Sequence, residues 1–184
     1  RIGQADAQWS GFATHAAPSG DFETITDALC RDGRPDETLA AYAKPAGDAP
    51  VERLLPVIDR CFAGDTVEAI LASLDAETGD DAEWAAKQAA TIRQKSPTSL
   101  KIALRQMQDG AKVDFEECMR IEYRVVSRVI QRHEFFEGVR AVIIDKDNAP
   151  KWRPSTLDGV SAADIDAYFA PLPDELDLSG LDEG

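Results

Sequence analysis

Cysteine is scarce in this chain and carries no pattern. Cys30, Cys61 and Cys118 are three in number, far apart and at no metal-binding spacing. That excludes a disulfide framework and a Cys/His metal centre, and it leads us to expect reduced thiols in a cytoplasmic protein. Positive charge is also short: 20 Lys and Arg against 34 Asp and Glu give a net charge of −14. Nucleic acid is therefore an unsuitable partner, because its binding rests on neutralising phosphates. A phosphorylated small molecule remains compatible, since a few local cations suffice inside an acidic protein. The twelve glycines are dispersed with no adjacent pair, so there is no Gly-rich phosphate loop. Nor is there a nucleophile elbow or a Ser/His/Asp set of diagnostic spacing. No apolar run reaches the length of a membrane span, so no membrane partner is expected. The first residues, Arg1 to Asp6, are polar, which predicts no signal peptide. The chain lacks a starting Met and opens in mid-pattern, as a trimmed or incomplete polypeptide would.

What is present is helical periodicity. Residues 1–20 read as the end of an earlier element. Ala5, Ala7 and Trp9 sit in a short helix that Gly11 can close in the left-handed conformation, and Phe12 to Ala16 follow as a brief strand-like piece around a lone His15. Residues 21–95 read as a string of short helices without a catalytic motif. Asp21 caps a helix with Ile25, Ala28 and Leu29 on one face, and Gly33 stops it. Pro35 opens a helix to Tyr42, and the Pro- and Gly-rich stretch from Lys44 to Pro50 is a loop. Pro56 then restarts a helix, and Asp65 with Glu68 has capping-box spacing ahead of Val67, Ile70, Leu71 and Leu74. A further helix carries Trp84, Gln88 and Ile92.

Residues 96–172 are patterned more strongly. Ser96-Pro97 starts a helix with Leu100, Ala103, Leu104 and Met107 on one face, closed by Gly110. Asp114 caps the next, whose apolar stripe takes Phe115, Cys118, Met119, Val126, Val129 and Ile130. The run from Arg132 to Asp147 follows, with Phe135, Val139, Val142 and Ile143 at i, i+4, i+7 and i+8. Ser161 caps a last helix holding Ile165, Tyr168 and Phe169, stopped by Pro171. Residues 173–184 form an acidic tail expected to be loosely held.

Few side chains suggest chemistry. Glu122 falls on an otherwise apolar stripe, where a carboxylate must be paired, hydrogen-bonded or protonated. It reads as an acid or base of raised pKa or, as we prefer, a structural carboxylate gripping Arg124, Arg140 or backbone donors. Glu134 and Glu137 suit the negative charge favoured in a first helical turn. His133 at the same entrance reads as a cap or a pairing residue. Lys146 and Lys151 follow the helix, with Arg140 earlier. They read as cations at a helix C-terminus or as a small phosphate-binding patch, with Trp152 or Phe136 offering a flat apolar surface. Trp152 reads equally as a plug docking the tail.

Several stretches are similar to the C-terminal signature of 3-hydroxyisobutyryl-CoA hydrolases, a branch of the crotonase (enoyl-CoA hydratase/isomerase) superfamily. They are Ser96-Pro97-Thr98-Ser99-Leu100-Lys101, Glu122-Tyr123-Arg124, Glu137-Gly138-Val139-Arg140-Ala141-Val142, Asp145-Lys146-Asp147 and Pro150-Lys151-Trp152. General hydratases share the Glu-Gly step but usually lack the last two. The resemblance implies a mainly α fragment, the C-terminal helical part of an α/β spiral fold. It implies hydrolysis of 3-hydroxyisobutyryl-CoA in valine breakdown, with no cofactor beyond the coenzyme A of the substrate. In that family the backbone donors of the oxyanion hole and the acid/base carboxylates lie in Gly-rich turns of the N-terminal half. No residue here matches them, so no catalytic residue is assigned and the chain alone is expected to be inactive. The family's C-terminal helices close the acyl pocket and assemble trimers. A lysine after the signature helix can meet CoA phosphates. Lys146 is the positional match, with Val142 and Phe136 as pocket or interface contacts. The implied partners are the acyl-CoA substrate, the N-terminal catalytic half and further copies of the chain. The rivals are an enoyl-CoA hydratase or isomerase, and a non-catalytic helical interaction module or half of a split enzyme.

Overall fold

The computed structural model describes residues 2–179, which are dominated by helices and contain no strand. They form two compact units that divide between Arg60 and Cys61, inside the string of short helices. The last five residues of the acidic tail, 180–184, lie outside the described residues.

The first unit holds α1 (Gln4–Trp9), α2 (Phe22–Asp32), α3 (Pro35–Tyr42) and α4 (Pro50–Cys61). Gly11 and Gly33 both take positive φ, at 78° and 60°, and each follows a helix that a side chain at that φ would strain. Pro35 opens α3 as its spacing predicts, because its fixed φ suits a first turn. Two expectations need correction. Phe12 to Ala16 is not a strand: the chain bends at Phe12 and at Thr14, and its backbone bonds run from the Ala13 N–H to the Ala7 carbonyl and from the Lys44 N–H to the Ala16 carbonyl. A strand needs a ladder partner, and the described residues offer none. Secondly, α4 begins at Pro50 and runs through Pro56. Either proline suits a first turn, and Pro50 is the one that occupies it. Its start is held by the Asp6 carboxylate, which accepts from the Val51 N–H at 3.0 Å.

The second unit holds α5 (Val67–Ala76), α6 (Ala82–Arg93), α7 (Pro97–Gly110), α8 (Phe115–Val129), α9 (His133–Val139) and α10 (Ala162–Phe169). A π turn, Arg140–Ile144, continues α9 directly. Caps account for most starts. Ser96, Asp114 and Ser161 each accept from the N–H three residues on, at 3.2, 2.9 and 3.2 Å. For α5 the cap is Thr66 rather than Asp65, accepting from the Ala69 N–H at 3.1 Å. One part of the core packs Val67, Ile70, Leu71 and Leu74 of α5 with Ala85 and Ala89 of α6. The other gathers Ile102, Val125, Val160, Ile165, Tyr168 and Phe169, with Ile121 and Val129 against it.

Helix faces differ from their sequence reading in a consistent direction. On α8 the buried stripe is Ile121, Val125 and Val129, while Phe115, Met119, Val126 and Ile130 face solvent. On α7 Ile102 is buried and Met107 is 76% exposed. These helices carry two apolar faces, and periodicity alone ranks the wider one first. The tail differs too. Glu175 is held by the Arg124 guanidinium at 2.7 Å, and that arginine also holds Glu117 at 2.8 Å. The start of the tail is therefore pinned to α8.

Candidate functional site

Along α9 the expected polarity is inverted. Phe135, Phe136, Val142, Ile143 and Ile144 are exposed, whereas Ala141 is fully buried and the Glu137 side chain lies on the protein side, the residue only 8% exposed. Sequence reasoning placed Glu137 at the first turn for its dipole; its partners give the stronger reason. Arg140 approaches it as a two-pronged fork, Nε donating to Oε2 at 3.0 Å and Nη2 to Oε1 at 2.8 Å. The Lys151 N–H donates to Oε1 at 2.7 Å. A carboxylate so supplied with donors holds its charge tenaciously. The Arg140 hydrogen bonds, and after them the Lys151 amide, pull the Glu137 carboxyl down to about 2.

Arg140 is saturated. Nη1 donates to Asp145 and to Asp147, each at 2.7 Å, and the remaining Nη2 proton reaches the Ala149 carbonyl at 3.2 Å. With the Glu137 fork, all five guanidinium N–H groups are used. Asp147 is in turn pulled below the ordinary carboxylate range, by Arg140 first and then by the Ala149 N–H. The loop between these anchors is unusual in its backbone. Lys146 and Asn148 have φ of 55° and 52°, a left-handed conformation that costs a non-glycine residue on the order of 1–3 kcal/mol and persists only where the surroundings over-determine it. Here Asn148 N–H donates to Ala141 O at 3.0 Å, and the Ala149 N–H to Asp147 at 2.9 Å.

The segment Pro150 to Arg153 is strapped across the start of α9. His133 Nε2 lies 3.0 Å from the Lys151 carbonyl, which makes Nε2 the protonated nitrogen. Glu134 accepts from the Arg153 N–H at 2.9 Å and from the Ser96 hydroxyl, joining α9 to the cap of α7. Trp152 Nε1 donates to the Gln94 carbonyl at 3.0 Å, so the indole is a plug with a polar handle. A cavity of about 460 Å³ opens beside this strap, lined in part by Arg132, His133, Glu134, Arg153 and Tyr168.

Lys146 stands at the apex of the clamped loop. Phe136 and Val142, each 59% exposed, stand on open surface rather than in an enclosed pocket. Phe136 meets Phe135 edge-on, with centroids 5.7 Å apart. Arg140 leaves the expected cationic patch because its donors are all committed. Glu122 is exposed and bonded to Gln106 Nε2 at 2.7 Å; Arg124 and Arg140, its expected partners, hold other carboxylates. The carboxylate sits on the open face of α8, so no burial forces it to pair with charge. Nδ1 of His15 lies 2.9 Å from the hydroxyl of its neighbour Thr14. The Ser96–Glu134 bond was not foreseen, since 38 positions separate its ends.

Glu137 has a lower pKa folded than unfolded, so its contribution is complete above the ordinary carboxyl value of 4.5 and is lost as the pH falls to about 2. Urea midpoints measured from pH 7 to pH 2.5 are expected to fall in that window. Glu137→Gln is expected to be less stable at pH 7 and to lose less on acidification; an unchanged acid slope in that variant would remove Glu137 from the account.

These helices, with a buried carboxylate–arginine clamp after the last long one, are the C-terminal helical part of a crotonase-type enzyme fold. The chain belongs to the enoyl-CoA hydratase/isomerase family, whose model matches residues 1–169. It is 38% identical to a mitochondrial 3-hydroxyisobutyryl-CoA hydrolase of Danio rerio, over 97% of this chain and 48% of the relative. It is 35% identical to the mitochondrial protein of that name from Rattus norvegicus, over 94% of this chain and 46% of the relative. Among solved structures it resembles a carnitinyl-CoA dehydratase from Mycobacterium thermoresistibile, with a TM-score of 0.85 and 38% identity over 97% of this chain and 51% of that one. An enoyl-CoA hydratase from Rhodobacter sphaeroides gives 0.79 and 34% over the same shares. The chain thus spans about half the length of the curated relatives it matches. These names overturn the cytoplasmic expectation, since the relatives from Danio rerio and Rattus norvegicus are called mitochondrial. Reduced thiols report a reducing compartment, a condition the cytosol does not hold alone.

Proposed function

We propose that this chain is the C-terminal helical part of an acyl-CoA hydrolase that cleaves the thioester of 3-hydroxyisobutyryl-CoA, a step of valine breakdown. In that reaction water adds to the thioester carbonyl, the carbon–sulfur bond breaks, and the thiol of coenzyme A leaves with a proton. The observation that carries the reading is the Asp145-Lys146-Asp147 and Pro150-Lys151-Trp152 ending, which the fold uses as a clamp and a strap. The first relatives by similarity bear the hydrolase name. The catalytic half of the fold, with its oxyanion donors and acid/base carboxylates, is the partner this chain needs. The open apolar faces of α8 and of α9 with its π turn suit such a cover, and a homo-oligomer suits them as well. Lys146 meets a phosphate of coenzyme A, and Phe136 and Val142 supply apolar contact. No cofactor is required beyond the coenzyme A of the substrate.

The test uses the complete enzyme, this chain joined to the half of the fold its relatives carry. Offered 3-hydroxyisobutyryl-CoA it is expected to release free thiol, and offered a crotonyl-type thioester it is expected to leave the double bond intact. Hydration of the double bond without thiol release would favour the second reading, an enoyl-CoA hydratase. That reading is supported by the names of the two similar solved structures. The 184-residue chain alone is expected to give no turnover, and measurable thiol release from it would overturn its assignment as the non-catalytic part. A monodisperse chain that melts cooperatively and gains no activity on mixing with the other half would instead identify an independent helical module.

A further inference from the structure

Lys146 occupies a backbone conformation that a lysine does not adopt unaided, and the cause lies six residues before it. Nη1 of Arg140 takes the carboxylates of both Asp145 and Asp147. The two side chains flanking Lys146 are thereby turned inward to one nitrogen, and the lysine is left at the apex between them with φ of 55°. Three further bonds close the frame: the Asp145 N–H to the Arg140 carbonyl at 2.8 Å, the Asn148 N–H to the Ala141 carbonyl at 3.0 Å, and Nη2 of Arg140 to the Ala149 carbonyl at 3.2 Å. On the opposite side Glu137 fixes the guanidinium plane by its fork. Glu137 is itself bound to the Lys151 amide of the strap.

From this geometry we infer that Arg140 is a positioning residue for ligand phosphate: it holds the Asp145–Asp147 turn so that the Lys146 ammonium is presented in one place. The inference rests on the reading of Lys146 as a phosphate contact. A lysine loses considerable side-chain and backbone freedom on binding an anion, and a frame that removes the backbone part beforehand raises affinity without a new contact. The same clamp turns two carboxylates, which would otherwise repel a phosphate, toward a cation. Arg140 touches no substrate in this scheme and plays no part in the chemical step. Its signature is therefore a change in KM and in coenzyme A affinity, with kcat unmoved.

The experiment measures the Kd of free coenzyme A by calorimetry, and KM and kcat with the acyl-CoA thioester, on the complete enzyme and four variants. Lys146→Ala alone tests the reading beneath the inference. It is expected to raise Kd and KM about tenfold, and no change would overturn the phosphate contact and the positioning role together. Arg140→Lys keeps the charge but cannot form the five-bond frame. It is expected to raise KM severalfold at constant kcat, and in combination with Lys146→Ala to add nothing further. An additive double variant, or a fall in kcat at constant KM, would overturn the inference while leaving Lys146 in place. Because Arg140→Lys can disturb the buried Glu137, Asp145→Ala/Asp147→Ala is the second arm, removing both acceptors from Nη1 while leaving the Glu137–Arg140 fork intact. Simple electrostatics expects that variant to bind an anion more tightly, since two negative charges beside Lys146 are gone. Positioning expects severalfold weaker binding. Tighter binding would overturn the proposal.

Discussion

Leu74→Ala is expected to destabilise the 61–179 region by about 3 kcal/mol, within the range of 2–5 found for buried leucine truncations. Leu74 is 1% exposed and among the largest fully buried side chains. It closes the α5 face formed with Val67, Ile70 and Leu71. Opposite stand Ala85 and Ala89 of α6, both fully buried. Alanines have no freedom to swing into a void, so the space left by three lost carbons stays largely empty and the transfer and cavity terms add. Equilibrium urea unfolding followed by circular dichroism reads the change in midpoint. Met107→Ala is the comparison: Met107 also belongs to an apolar helical pattern but is 76% exposed, and its loss should stay within about 0.5 kcal/mol. Equal effects for the two would mean that the buried faces of α5 and α7 are wrongly placed.

That comparison also shows where the sequence is readable. Helix starts are local chemistry, and Ser96, Asp114, Ser161 and Pro35 stand where their side chains or ring predict. Helix stops at positive-φ glycines are readable for the same reason, as Gly11 and Gly33 show. The face each helix buries is a different kind of fact, because it depends on which neighbours are present. On α8 the sequence offers two stripes that share Val129: Phe115, Cys118, Met119, Val126, Val129 and Ile130, the one read from the periodicity, and Ile121, Val125 and Val129. Only the second meets the cluster built by α7 and α10. Periodicity cannot choose between them without knowing how much of the fold the helix packs against.

The signature segment failed in a more instructive way. Phe135, Val142 and Ile143 looked like a core stripe and Glu137 like a first-turn charge suited to the helix dipole, whereas the three apolar side chains are exposed and Glu137 is buried. Burial of Glu137 depends on Arg140 three residues later and on the Lys151 amide fourteen residues later. The first link was available as an i, i+3 pair, but the second belongs to a strap whose path no local rule describes. The π turn from Arg140 to Ile144 compounds the error. It shifts the phase of every residue after Val139, so a 3.6-residue count drifts off the true face. The family resemblance located the segment, and only the hydrogen bonds explain why its charges are needed.

Phe169→Ala is the other substitution with a large expected effect, a loss of about 3–5 kcal/mol. Phe169 is 8% exposed and packs in the cluster of Ile102, Val125, Val160, Ile165 and Tyr168 that joins α10 to α7 and α8. Its ring also receives the Arg105 guanidinium, 4.4 Å from the centroid. Arg105 keeps Asp109 and Asp166 as partners when the ring is gone, so the change is chiefly one of lost apolar contact. The partition of the effect matters as much as its size. The clamp around Arg140 shares none of these side chains, and at a temperature where the variant is still folded, coenzyme A affinity should match that of the parent. Lys146→Ala is expected to do the reverse, weakening coenzyme A binding while leaving the urea midpoint in place. Should Phe169→Ala weaken coenzyme A binding at full folding, the packing of α10 and the presentation of Lys146 would be one cooperative unit, and the clamp could not be treated as a separate device.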